Sequence, residues 1–189
     1  MTLKAKWIDL IYHLATSSRK TWNFFTPVGV FLFALLVFSF IIIAAQVDKL
    51  LGIAGILPGW LSLILTPLFF LAAFILTGWS VLTFLRAKGT PVPLNPPPKL
   101  VTTGLYAYMR NPMLTGVFAL LFGIGALFGS GSLLFIITPL FILINVWELK
   151  AIEEPELVKR LGQDYIEYRK RTPMFFPNFR RIFKKGSSS

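Results

Sequence analysis

The chain has no cysteine and a single histidine, His13. The first absence excludes a disulfide framework, a thiolate nucleophile, a zinc–thiolate site and an iron–sulfur cluster. The second excludes a multi-histidine metal centre and, with His13 at the far N-terminus, a nucleophilic Ser–His–Asp triad. No Walker-type phosphate loop occurs, and magnesium, which takes carboxylates but usually needs substrate phosphates too, is not provided for; no metal is expected. Charge is also scarce: 14% of the 189 residues are charged, against roughly 25% in soluble domains. Too few charges remain to cover a water-facing surface. Disorder, which needs weak hydrophobicity and many charges, is excluded as well.

What is present is apolar: 55% of the chain, including 19 Phe and 5 Trp, with a mean hydropathy of +0.70. Phe24 to Gln46 carries no charge over 23 residues, Ile56 to Leu85 none over 30, and Met113 to Trp147 none over 35. A helix needs ~20 residues to cross the hydrocarbon core, ~17 at the short limit. Gly129-Ser130-Gly131-Ser132 divides the third run into two short spans, 113–128 and 132–148. In lipid the backbone must satisfy its own polar groups, so these runs are expected as helices. Pro27 suits a first helical turn, and kinks are expected at Pro67 and Pro139. Residues 1–22 mix Leu3, Trp7, Ile8, Leu10, Ile11 and Leu14 with charges at near-helical spacing, which predicts an amphipathic interfacial helix rather than a signal peptide. The expected fold class is all-α: a polytopic membrane protein of about four transmembrane helices, with that N-terminal helix and a C-terminal cytoplasmic helix.

The 19 basic residues test this count. With four spans, 18 of them fall on one side and Lys49 alone on the other; the positive-inside rule makes the rich side cytoplasmic, with both termini there. The same placement accounts for the net charge of +11 through attraction to anionic membrane lipids. No recognition motif accompanies the charge, so nucleic acid is not an expected partner.

Two polar segments stand on the cytoplasmic side. The first, Arg86 to Pro112, opens with five prolines between Pro91 and Pro98, which stiffen it into an extended connector. It continues as Leu100-Val101-Thr102-Thr103-Gly104-Leu105-Tyr106-Ala107-Tyr108-Met109-Arg110-Asn111-Pro112. Asn111 suits a helix N-cap and Pro112 the first helical position. Free N–H groups there favour an anion, and Arg110 adds a fork shaped for carboxylate or phosphate. An interfacial anchor, with Tyr at headgroup level and Arg on lipid phosphate, explains the same residues. The second segment, Trp147 to Pro173, holds six of the eight acidic residues. Adjacent Glu153 and Glu154 repel each other unless donors or a cation meet them. A cationic ligand is one explanation; a solvated helix with a Lys150–Glu154 pair is the other.

At these segments the chain resembles the isoprenylcysteine carboxyl methyltransferase and phospholipid N-methyltransferase superfamily of integral-membrane methyltransferases. The likeness lies in L-V-x-x-G-x-Y-x-x-x-R-N-P-M, Leu100 to Met113, and in E-E-x-x-L-x-x-x-x-G-x-x-Y-x-x-Y, Glu153 to Tyr168, separated by a two-helix hairpin. The likeness covers roughly residues 86–178, and the expected organisation is a single membrane domain over 1–189: an interfacial helix at 1–22, spans one and two within 24–85, a cofactor-binding half over 86–178, and a basic flexible tail at 179–189. The resemblance implies S-adenosylmethionine as methyl donor and a lipophilic acceptor. Leu100, Val101, Gly104, Tyr106, Arg110, Asn111, Pro112, Met113, Glu153 and Glu154 would hold the donor, with Arg110 and Glu154 the candidate catalytic pair. Many relatives have His where this chain has Asn111. An NADPH-dependent reductase of sterol-reductase type and an inactive lipid-binding scaffold are the rival readings.

Overall fold

The computed structural model describes residues 5, 7–9, 12–13, 19–87 and 100–176. The proline run of the first polar segment, most of the N-terminal segment and the basic tail lie outside them. Helices α1 (Arg19–Leu51) and α2 (Gly59–Arg86) are followed by a 3₁₀ turn (Gly104–Ala107) and α3 (Pro112–Phe128). One long helical run then comprises a π turn (Leu133–Ile137), α4 (Thr138–Glu148), a second π turn (Leu149–Glu153) and α5 (Glu154–Leu161), before α6 (Gln163–Arg171). The described residues contain no β-strand, only an isolated bridge between Ala54 and Ser130.

By length and composition, Pro27–Leu51, Gly59–Arg86 and Leu133–Leu161 can each cross a membrane. The remaining expected span, α3, has 17 residues, about 25 Å at the helical rise, and is shorter than these. Leu63, Phe74 and Phe31 expose two thirds or more of their surface, and many other large apolar residues of α1 and α2 are also exposed; an apolar belt of this extent is stable only against lipid.

Where lipid is the solvent, burying an aliphatic side chain gains little, so helices hold together by close packing. The most extensive helix contact joins α2 and α3. Gly116 makes it possible: a Cβ there would stand 3.0 Å from the Thr77 nitrogen and 3.2 Å from the Ala73 carbonyl. Ala44 of α1 joins Val117, Phe118 and Leu121 of α3, Leu133 and Phe141 in a buried cluster. Phe141 meets Phe40 and Phe118 edge-on at 5.2 and 5.9 Å.

Both π turns precede a proline by two residues, Pro139 and Pro155. A proline cannot bond the carbonyl four residues back, and its ring crowds that carbonyl. The wider turn accommodates the missing bond. Pro67, by contrast, lies inside an uninterrupted α2.

The end of the bundle away from the polar motifs is fastened by Asp48. Ser130 Oγ donates to its carboxylate, the Ser132 N–H donates to the other oxygen at 2.8 Å, and the Ser132 hydroxyl donates to the Ala44 carbonyl at 2.7 Å. Gly55 N–H to Gly129 carbonyl (2.9 Å) and Gly131 N–H to Ile53 carbonyl (3.1 Å) complete the fastening. A cavity of about 450 Å³ lined by Ile41, Asp48, Phe128 and Leu133 lies at this end, remote from the residues singled out as a donor site.

Candidate active site

The opposite end gathers the two polar segments. Leu100 and Val101 form an irregular, half-buried approach to the 3₁₀ turn. Gly104 starts that turn with φ of +60°, and a Cβ there would stand 3.1 Å from Trp79 Nε1. Both the left-handed backbone and the close indole require glycine. The turn buries Tyr106 against Phe84 of α2, ring centroids 5.2 Å apart, and brings its hydroxyl to Ser80.

Arg110 and Glu154, distant in sequence, form an ion pair: Arg110 Nη1 lies 2.5 Å from Glu154 Oε1, both side chains about nine-tenths buried. Arg110 Nη1 also donates to Tyr165 Oη at 3.3 Å. The second carboxylate oxygen, Oε2, faces Arg169 Nη1 at 3.2 Å. Arg110 Nε is buried with no partner among the described residues. Glu154 is therefore not the solvated partner of Lys150: the π turn alters the spacing along this face, and Glu154 faces two guanidinium groups instead. Glu153 is half-buried and makes no ion pair among the described residues. Glu156 is buried and takes Arg160 Nε at 2.8 Å.

Helix α6 and the residues after it close this end. Tyr168 donates its hydroxyl to the Tyr106 carbonyl at 2.6 Å. The Arg110 and Asn111 N–H groups bond the carbonyls of Pro173 (2.8 Å) and Met174 (3.0 Å). The two N–H groups just ahead of α3 are thus occupied by backbone. Asn111 does stand at the N-cap position, with Pro112 first in α3 and Met113 half-buried behind it. Its side chain makes no capping bond: the amide turns to the Met174 carbonyl at 3.5 Å. Burial raises the hydroxyls of Tyr106 and Tyr168 well above the ordinary tyrosine range, and burial followed by the Glu154 charge pushes Tyr165 up to about 12.

Arg110, Glu154, Gly104 and Tyr106 are thus drawn to one end of the molecule. Sequence reasoning missed Arg169, which sits in the run Arg169-Lys170-Arg171 and looks like any membrane-proximal cation. Its four-residue spacing from Tyr165, on one helix face, is the signal that separates it. Among the described residues, no group of three or more His, Asp or Glu could hold a metal ion.

The family model described as phospholipid methyltransferase matches residues 61–164, more than half of the chain and inclusive of Arg110, Glu153 and Glu154. The chain belongs to the phospholipid methyltransferase family. Among curated relatives, it is 38% identical over 82 residues to "Protein-S-isoprenylcysteine O-methyltransferase" of Schizosaccharomyces pombe, covering 41% of this chain and 33% of that protein. It is 32% identical over 82 residues to "Methanethiol S-methyltransferase 1" of Bradyrhizobium diazoefficiens, covering 43% and 27%. The match spans about a third or less of each relative's length.

Proposed function

We propose that the chain is an integral-membrane methyltransferase that takes S-adenosylmethionine from the cytoplasmic side and methylates a lipophilic acceptor reaching it from the bilayer. The observation that carries this reading is the buried Arg110–Glu154 pair, with Tyr165 bonded to Arg110 and the linked Tyr168 and Tyr106 at the same end of helices that can cross a membrane. The donor set fits the group: Arg110 Nε is a buried donor lacking an acceptor among the described residues, suited to the donor's carboxylate. The family and the names of both relatives support methyl transfer.

When bound, S-adenosylmethionine supplies an electrophilic methyl group on a positively charged sulfur. The protein's part is to hold, orient and exclude water. Arg110 binds the carboxylate and is itself fixed by Glu154 and Tyr165. Gly104 lets backbone approach the ligand beside Trp79, and Tyr106 and Tyr165 provide ring faces attractive to a cation. Glu153, half-buried and without an ion pair among the described residues, is pushed up to about 7 by burial and by its acidic neighbours, and is the acid available to an ammonium or ribose hydroxyl. With both oxygens facing guanidinium groups, Glu154 positions Arg110. No covalent intermediate on the protein is required, which suits a chain without cysteine. Alignment of acceptor and methyl group can supply ~7–11 kcal/mol of the barrier.

Calorimetric titration of the purified protein with S-adenosylmethionine tests this. Saturable binding, weakened about tenfold or more in Arg110→Ala, is expected. A wild-type protein that binds no donor would refute the proposal.

A further inference from the structure

Three charged side chains meet where α3, α5 and α6 converge, and their charges do not cancel. Glu154 places one carboxylate between two guanidinium groups, Arg110 at 2.5 Å and Arg169 at 3.2 Å. The contact set therefore carries one surplus positive charge, shared with the partly exposed Arg169. Glu153, although near enough to act on Tyr165, forms no ion pair with either arginine among the described residues. One buried donor of this set, Arg110 Nε, has no acceptor among the described residues. Arg169 uses only Nη1 on protein among the described residues, so most of its fork is open. The exposures differ in a useful way: Arg110 is 11% exposed and Arg169 41%. One guanidinium forms the floor of the cluster and the other its mouth.

We infer that Arg169 is a second anion-binding residue of the donor site, which together with Arg110 receives the carboxylate of the donor's amino-acid end. This rests on the reading of the site as a methyl-donor site. A second anion would neutralise the surplus charge, give Arg110 Nε its acceptor and be reached first by the exposed Arg169. Glu154 then acts as the spacer that holds the two forks apart at a distance one carboxylate can bridge. The inference also gives α6 a role beyond packing, because Tyr165, which touches Arg110, and Arg169 stand one helical turn apart on it.

The test compares two ligands on the full chain in detergent: S-adenosylhomocysteine, which has the carboxylate, and 5′-methylthioadenosine, which lacks the amino-acid end. In Arg169→Ala, affinity for S-adenosylhomocysteine should fall about tenfold or more, affinity for methylthioadenosine should stay within about twofold, and Arg169→Lys should recover part of the loss. Equal losses for both ligands would overturn the inference, because Arg169 would then act only through Glu154. Unchanged S-adenosylhomocysteine affinity would overturn it too. Should Arg169→Ala fail to fold, the same ligand comparison on Arg169→Gln decides between these outcomes. Wild-type protein that binds neither ligand would refute the donor site itself, a result distinct from any effect of the variants.

Discussion

Glu154 faces Arg110 through one oxygen and Arg169 through the other, so removing it strands two cations, whereas removing Arg110 leaves Glu154 with a partner. Glu154→Ala should therefore cost about 3–5 kcal/mol of stability, the usual penalty for breaking a buried pair, and Arg110→Ala clearly less. Denaturant unfolding in detergent checks the order; a larger loss in Arg110→Ala would contradict it. Tyr165 gives a second prediction at this scale. Its hydroxyl is raised to about 12, so the fold favours the neutral form. That contribution is complete below the unfolded value near ~10 and disappears as pH rises through about 12. Tyr165→Phe should reduce the stability lost over this window by about 1–2 kcal/mol, leaving the shares of Tyr106 and Tyr168. Unfolding curves from pH 9 to 12, with and without the substitution, measure it. The motif residues Arg110 and Glu154 were legible because chemistry singles out a lone guanidinium at a helix entrance and a repelling acid pair. Arg169 was not, because only the folded spacing distinguishes it from Lys170 and Arg171.

Among the elements, the uncharged runs marked α1 to α4, since lipid leaves such segments one way to satisfy their backbone. The prolines marked where an α-helical bond must fail, but not how. Pro67 is carried within α2, while Pro139 and Pro155 are each preceded by a π turn, a choice made by the packing around the backbone. Asp48 was likewise passed over: sequence shows an acid at the end of an apolar run, but not that Ser130 and Ser132, more than eighty residues later, bond to it. This fastening stands at the opposite end from Arg110. Asp48→Ala leaves a buried hydroxyl and an N–H without their acceptor and should lower stability by about 2–4 kcal/mol, with donor affinity unchanged in the protein that folds. A loss of donor affinity equal to that of Arg110→Ala would show that the two ends are coupled.

The molecule as a whole separates its surfaces by solvent: an apolar belt on α1, α2 and α4, the ion-pair cluster at one end and the Asp48 fastening at the other. An expected division of this kind was visible in the distribution of charge, with 18 of 19 basic residues on one side of a four-span count. The manner of closure was not, because the carbonyls of Pro173 and Met174 reach Arg110 and Asn111 through chain geometry that no residue type announces. The proposed activity requires this closed polar end to face a lipid-borne acceptor. Mass spectrometry of a membrane lipid extract incubated with the purified protein and methyl-labelled S-adenosylmethionine tests that most directly. A lipophilic product carrying the labelled methyl, lost in Arg110→Ala, is expected; donor consumed without any labelled lipophilic product, or a product formed equally by the variant, would contradict the account.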